Sequence, residues 1–486
     1  MENNIISERA ERLEKLNKLN EISNPYPSKV EKDFAVSEVL TNFVDLEKNK
    51  TIVSLAGRIM NIRTHGNLSF ANLKDFSGEI QLAFSKNELG VDNYKNFVKL
   101  VDMADFLEIK GTCFVTHKGE NSLLVTSYRV ISKALAPLPE KWHGLKDEEE
   151  RLRKRYLDLL TNEDLRDLFV KKAKFWQVIR DFMTKKGFFE VETPFLETTT
   201  GGAEARPFKT HHNDFDIDVY LRISIGELWQ KRLMAAGYEK VFEIGKAFRN
   251  EGSSPDHLQE FTNMEFYWAY ANYRDAMKLT QELYREIAVQ VFGTTKFESR
   301  GYKYDLADEW PEIDYREEVL ARTGIDVLIA KEEEMVKKLQ ELKVKYDGKT
   351  RERLMDTLWK YCRKNISGPA FLVNHPKLVS PLAKVKEENP ELTERFQIII
   401  AGSEIGNGYS ELNDPVDQRK RFEEQQILID RGDEEAMMPD WEFVEMLEHG
   451  MPPTCGVGIG ERLFSFMANK SIRETTLFPL MKPKKD

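Results

Sequence analysis

The sequence has little cysteine, no long apolar run and no surplus of basic charge. Its three cysteines, Cys113, Cys362 and Cys455, lie far apart and form no CxxC pair. A thiolate zinc site or a disulfide framework would need closer or more numerous cysteines, so neither is expected, and a reducing compartment fits. No stretch reaches the roughly 18 apolar residues that mark a membrane span. The opening MENNIISERAERLEK is charged and helical in pattern. It lacks the apolar core of a secretory signal, which points to the cytoplasm. Lys and Arg number 72 against 82 Asp and Glu, a net charge of −10. That balance speaks against a nonspecific nucleic-acid binder held by overall charge, although local basic patches are compatible with it. There is no internal repeat and no low-complexity tract.

What is present is an ordinary globular composition, 41% apolar and 32% charged, over 486 residues. That length suits two to four domains with buried cores. Residues 1–50 read as an N-terminal helix and lead-in, with the helix over 5–19 and a break at NPYPS. Arg9, Arg12, Lys15 and Lys18 recur on that helix, and RLRKR follows at 151–155. Each could be a basic patch, or a solvated face with salt-bridging glutamates. Residues 51–135 are rich in β signals. TIVSLAGRIMNI, LSFANLKD, EIQLAFS, FLEIKGTCFVTH and SLLVTSYRVIS are separated by turn-forming residues. Five short strands suit a small barrel such as an OB-fold, with another five-stranded sandwich as the alternative.

APLPEKWHG opens a proline-bearing linker over 136–150, and the rest, 151–486, reads as a large second domain. Leu165, Leu168, Phe169, Trp176, Ile179, Phe182 and Met183 recur at helical spacing up to Gly187. KVFEIGKAFRN and FTNMEFYWAY are strands joined by the polar loop EGSSPDHLQE. A charged, helical stretch at about 295–395 reads as an insertion. Strands return at 396–412, and CGVGIGERLFSFM closes the chain as strand and helix. Long hairpin strands interleaved with helices predict an α+β domain on an antiparallel sheet.

Strand parity then locates chemistry. Side chains alternate along a strand, so Phe261, Asn263, Glu265 and Tyr267 share one face, and Asn407, Tyr409, Glu411 and Asn413 another. If those faces meet, Glu265 and Glu411 bracket an aromatic-walled slot suited to a long-stemmed ammonium. A ladder of surface salt bridges accounts for the pattern equally well. Glu404 has the opposite parity to Glu411, which leaves it free for Mg²⁺. Arg249, His257 and Arg462 are candidates for phosphate and Phe261 for stacking on a base. Gly456, Gly458 and Gly460 allow close approach of a ligand, or simply a tightly packed strand.

These residues carry a family resemblance. FRNEG (248–252), the proline in EVETPFLE and a glycine-rich strand ending in ER resemble the signature motifs of class II aminoacyl-tRNA synthetases. HGLKDEEERLRKRYLDLL, GGAEARPFKTHHNDFDIDVYLRIS and EIGNGYSELNDP are similar to the lysyl-tRNA synthetase family in particular, and the likeness spans nearly the whole chain. The resemblance implies a lysine–tRNA ligase with an N-terminal OB-fold, acting as a homodimer on lysine, ATP and lysine tRNA with Mg²⁺. It implies that Glu227, bounded by Gly202, receives the α-ammonium of lysine. Glu265, Tyr267 and Glu411 would take the ε-ammonium, Asn407 and Arg249 the carboxylate, and Tyr409 would flank the stem. Arg249 would also hold the α-phosphate of ATP. Glu251 and His257 would belong to the ATP loop, with the adenine between Phe261 and Arg462. Glu404, and in second place Glu411, would bind metal. Phe70 and Gln81 match residues that stack on and hydrogen-bond an anticodon base.

Four departures from the family pattern stand out. Gln397 replaces an expected glutamate near the metal. RISIGEL has one residue more than usual before Glu227, and GVGIGER is one residue short. Ser127 stands where an acidic anticodon contact is usual. Three rival readings are an aspartate- or asparagine-specific relative, an RNA-binding paralogue without chemistry, and a ligase that lysylates a protein, whose relatives lack the OB-domain expected here. An acidic substrate would need cations where Glu265 and Glu411 stand, and Arg249, Glu251 and Arg462 are all retained.

Overall fold

The computed structural model describes residues 2–138, 147–203, 205–346, 350–431 and 436–484. The chain forms two compact units, Met1–Lys146 and Asp147–Asp486. Residues 139–146 of the linker expected at 136–150 lie outside the described residues, and a helix already begins at Glu148.

The first unit opens with α1 (Glu2–Ile22). Its basic stripe is divided. Arg12 is buried and donates to the carbonyls of Met103 at 3.0 Å and Ala134 at 3.1 Å, and Lys15 pairs with Asp102 at 2.5 Å. Those two cations fasten the helix, so only Arg9 and Lys18 of the four are exposed. Strands β1 (Ile52–His65), β2 (Leu68–Lys74) and β3 (Glu79–Ser85) are followed by α2 (Val91–Leu100), β4 (Phe106–Val115) and β5 (Asn121–Ser132). The strands close into a barrel in the order β1-β2-β3-β5-β4, which decides for the barrel over the sandwich. Alternation fills its interior with Val53, Leu55, Leu73, Leu82, Ile109 and Val125. The helix α2 had no counterpart in the strand pattern. It inserts Phe97, which stacks on Phe84 with ring centroids 3.8 Å apart, and each buried ring contributes about 2–3 kcal/mol.

The second unit begins its core with α3 (Glu163–Lys185), where the Asn162 side chain caps the first turn by accepting from the Leu165 N–H. Its periodic residues Ile179 and Met183 are fully buried. Then come β6 (Phe189–Glu190), α4 (Glu227–Ala235), β7 (Lys240–Phe248), β8 (Glu260–Ala269) and α5 (Tyr273–Ile287). The segment read as an insertion holds β9 (Glu312–Asp314), α6 (Tyr315–Thr323), α7 (Glu332–Glu341), α8 (Arg351–Arg363) and β10 (Ala370–Val373). The chain ends with β11 (Arg395–Ile400), β12 (Ser403–Ser410), α9 (Trp441–Glu448), β13 (Thr454–Gly460) and α10 (Arg462–Met467). Eight strands form one sheet, ordered β9-β10-β11-β12-β13-β8-β7-β6. Pairing is antiparallel except at the two edges, β6 on β7 and β9 on β10. The back face packs Met264, Phe266, Ile398 and Ile459 against Leu283 and Tyr284 of α5.

Two expectations change. The helical insertion is narrower than 295–395, because residues 312–314 and 370–373 are strands of the main sheet. Strands of three and four residues are too short to show a period of two in sequence. Second, Glu404 does not have the parity opposite to Glu411. Pairing runs from Ile398↔Gly406 to Ile399↔Glu404, so Ile405 is an extra, bulged residue. Ile405 drops into the core, and Glu404 turns to the face of Asn407.

Candidate active site

The open face of the sheet is floored by glycine. β13 lies between β8 and β12, with Gly458 opposite Glu265 and Asn407, and Gly456 opposite Tyr267 and Tyr409. A Cβ on Gly456 would collide with Glu411 Oε1 and the Tyr267 ring. The glycine run is therefore the floor that lets two polar strands close over one space. Parity holds along β8, since Glu265 and Tyr267 face this space while Met264 and Phe266 enter the core.

Three carboxylates converge here. Glu265 accepts the Ile225 N–H at 2.8 Å and the Tyr267 hydroxyl at 3.2 Å. Glu227 opens α4 and accepts the Tyr409 hydroxyl and the Lys231 ammonium, the latter at 2.7 Å. Glu411 lies 2.5 Å from the same Lys231 Nζ, and both side chains are 1% exposed. The cation that meets Glu411 is thus supplied by the chain itself. Burial, reinforced by the Glu227 charge, pushes the Glu265 carboxyl up to about 7. Burial pushes Glu411 up to about 8 even though Lys231 opposes it. Burial would depress Lys231, but Glu227 and Glu411 outweigh it and its pKa is raised.

Two glycines shape the Glu227 end. In RISIGEL, Gly226 has a left-handed backbone (φ 60°) that starts α4, and its missing side chain leaves room for Thr193. Gly202, at φ +84°, leaves the Glu227 carboxylate uncovered, since a Cβ there would lie 2.8 Å from Oε2.

The polar end of the space carries the arginines. Arg249 donates to the Ile223 carbonyl at 3.2 Å, and its guanidinium lies 5.3 Å from the centre of the Phe261 ring. Asn407 is oriented by Arg395, which donates to its Oδ1 at 2.8 Å. Glu251 and His257 stand exposed on the hairpin loop, where His257 Nδ1 is 2.8 Å from Ser254 Oγ. Arg462 begins α10, and its buried Nε has no hydrogen-bond partner among the described residues. An orphaned guanidinium donor of this kind calls for an acceptor from a ligand.

The Gln397 departure also acquires a structure. Trp359 Nε1 donates to its Oε1 at 3.2 Å, and its amide Nε2 donates to Glu404 Oε2 at 2.9 Å. An indole N–H can only donate, so it holds the amide oxygen and turns the amide hydrogens toward Glu404. Gln397 is therefore an anchor for Glu404. Among the described residues no group of three or more His, Cys, Asp or Glu is placed to hold an ion. Glu404 is partly exposed and lies 3.8 Å from Arg363 Nη1; one carboxylate together with the unpartnered Arg462 Nε fits a divalent ion that brings phosphate oxygens with it.

In the barrel, Asn72 faces Gln81 and Phe70 faces Ala83, so Phe70 and Gln81 share the surface opposite the buried Ala71, Leu73 and Leu82. Phe70 is partly exposed and outside the core. Gln81 accepts from Ser122 at 2.9 Å and donates to Glu120 at 2.8 Å. Ser127 is exposed on β5 opposite Lys110. Sequence reasoning missed Lys231 and Trp359. The signal for Lys231 was the Glu227–Lys231 spacing of four, which on a helix reads first as a surface ion pair. Among the described residues no helix is long and apolar enough to cross a membrane.

These elements build a class II aminoacyl-tRNA synthetase, and comparison with known proteins agrees. The family model for tRNA synthetases class II (D, K and N) matches residues 147–482, and that for an OB-fold nucleic acid binding domain matches 53–131. The chain is 46% identical to the lysine–tRNA ligase of Thermotoga maritima, over 95% of this chain and 93% of that one. It is 44% identical to those of Clostridium tetani and Carboxydothermus hydrogenoformans, over 94% and 95% of this chain and 92% and 94% of theirs. The chain belongs to the lysine–tRNA ligase family of class II synthetases.

Proposed function

We infer that the chain, a ligase forming aminoacyl-tRNA, takes L-lysine, ATP and lysine tRNA as its substrates. The observation that carries the choice of amino acid is the convergence of Glu227, Glu265 and Glu411 in one buried pocket. Buried carboxylates are costly unless cations meet them, and a lysine brings two. Glu227 and the space kept by Gly202 take the α-ammonium. Glu265, Tyr267 and Glu411 take the ε-ammonium, with Tyr409 along the stem. Asn407 and Arg249 hold the carboxylate, so its oxygen faces the nucleotide.

A lysine carboxylate oxygen attacks the α-phosphorus of ATP, and pyrophosphate leaves. The terminal ribose hydroxyl of the tRNA then attacks the lysyl carbonyl, and AMP leaves. Arg249 neutralises the α-phosphate and Arg462 the outer phosphates, with Glu251 and His257 on the loop above and the adenine against Phe261. Such transfer depends on positioning and charge neutralisation more than on an acid or base. Glu404 would hold Mg²⁺, which supplies further phosphate neutralisation when bound. Phe70 and Gln81 present the barrel's outer face to an anticodon base. The family likeness supports a homodimer working in the cytoplasm.

Amino-acid-dependent ATP–pyrophosphate exchange with each of the twenty amino acids tests the reading. Exchange driven by lysine alone is expected. Exchange driven by aspartate or asparagine, or none at all, would overturn it.

A further inference from the structure

Lys231 is assigned no part in the reading above, yet it sits at the centre of the pocket. Its Nζ lies 2.7 Å from Glu227 Oε1 and 2.5 Å from Glu411 Oε2. Three rings wall it in: Tyr409 at 5.5 Å, Phe443 of α9 at 5.8 Å and Tyr267 at 5.9 Å to the centroids. The other charged or titratable groups near the cluster are Glu265 and Tyr267 on β8, Tyr409 on β12 and Cys455 on β13, with Arg249 and Arg395 toward the polar end. Among the described residues Lys231 is the only cation paired with any of the three carboxylates; it meets Glu227 and Glu411, whereas Glu265 accepts from the Ile225 N–H and the Tyr267 hydroxyl.

With lysine bound and all three carboxylates ionised, they carry one negative charge more than its two ammonium groups neutralise. We propose that Lys231 is a positioning residue for amino-acid recognition. It cancels one of the three charges and ties Glu227 to Glu411, so that the pocket is left with the charge and the spacing of a diammonium ligand. The inference rests on the lysine reading. It explains why an ammonium is sealed from solvent between two carboxylates that substrate must also reach. A buried cation with two partners at hydrogen-bond distance holds both carboxylates in one geometry before substrate arrives.

Lys231→Met keeps the length of the side chain and removes its charge. In pyrophosphate exchange its KM for lysine is expected to rise at least tenfold, with KM for ATP unchanged. Lys231→Ala leaves a space of the shape of n-propylammonium, which replaces Cγ to Nζ. Added n-propylammonium is expected to restore lysine-dependent exchange in this variant, while the neutral n-propanol does not, and in the unaltered protein the amine only competes with lysine. If Lys231→Ala does not fold, the Lys231→Met measurement decides alone. An unchanged KM for lysine in Lys231→Met overturns the inference, as does a rise shared equally by ATP or rescue by the alcohol. If the unaltered protein shows no lysine-dependent exchange, it is the lysine reading that has failed.

Discussion

Replacing Glu265 by Gln separates recognition from folding, because the two are expected to move in opposite directions. Glu265 accepts two hydrogen bonds inside the pocket, from the Ile225 N–H and the Tyr267 hydroxyl. A glutamine keeps the shape, its oxygen can still take the Ile225 N–H, and its amide can donate to Tyr267. What is lost is the charge that the lysine reading sets against the substrate's ammonium. Removing one partner of a buried ion pair costs about 3–5 kcal/mol. At about 1.4 kcal/mol per tenfold, kcat/KM for lysine should fall roughly a hundred- to several-thousand-fold. The raised pKa subtracts little, since ionising a group of pKa about 7 costs less than about 0.5 kcal/mol at neutral pH. Stability should go the other way. The folded protein holds the Glu265 proton more tightly than the unfolded chain, from an ordinary 4.5 up to about 7. Between those values the native state binds more protons, so stability falls as pH rises through that window. Above it, the ionised carboxylate costs the fold up to about 3 kcal/mol, which the glutamine does not. The variant should therefore melt higher than the unaltered protein at pH 8, with the difference vanishing below pH 4.5. Exchange kinetics against lysine and thermal melts across pH read the two quantities. An unchanged kcat/KM for lysine refutes the role, and a variant that loses activity and melts lower at pH 8 refutes the electrostatics.

The same electrostatics predict that lysine uptake releases protons. Near pH 7 Glu265 and Glu411 hold protons that an incoming ammonium displaces, so KM for lysine should fall as pH rises from 6 to 8. Calorimetry in two buffers of different ionisation heat checks this, and identical heats would count against it. Phe70→Ala should weaken charging of tRNA roughly five- to 140-fold, from a stacking energy of roughly 1–3 kcal/mol, and leave lysine-dependent exchange intact. Since Phe70 lies outside the barrel core, the first unit should keep its melting behaviour, and a parallel fall in exchange would refute the assignment. Gln397→Glu should raise Mg²⁺ affinity in the absence of nucleotide, because a second carboxylate then stands beside Glu404. A well-defined micromolar Mg²⁺ site in the unaltered protein, found by titration without ATP, would show that the single carboxylate was not limiting.

Much of the fold was legible because local rules survive folding where strands and helices are regular. The five barrel strands and the β7–β8 hairpin follow from alternation and turn residues, and the buried face of α3 follows from helical spacing. Parity placed Glu265 and Tyr267 together on β8, since no bulge interrupts that strand. It failed at Glu404, where the single extra residue Ile405 exchanges the faces of everything before it. Such a bulge is chosen by the partner strand's register and by the core's demand for Ile405, and neither is written in the local pattern.

Strand and helix signals by themselves determined an α+β domain behind a small barrel, the motifs carried the resemblance to class II synthetases, and parity set Glu265 and Tyr267 on one face of a strand. Tertiary structure decided which acids share a cation. Glu227 and Lys231 are four residues apart, but Glu411 reaches Lys231 only because α4, β12 and the glycine floor of β13 enclose one space. In the same way the Trp359 indole, 38 residues before Gln397, orients that amide so that its hydrogens support Glu404. Periodicity reports which face a side chain occupies, because it is a property of neighbouring residues. Which charge a buried group meets depends on elements far apart in sequence, and at the low dielectric of the interior that meeting fixes both the protonation of the group and its role.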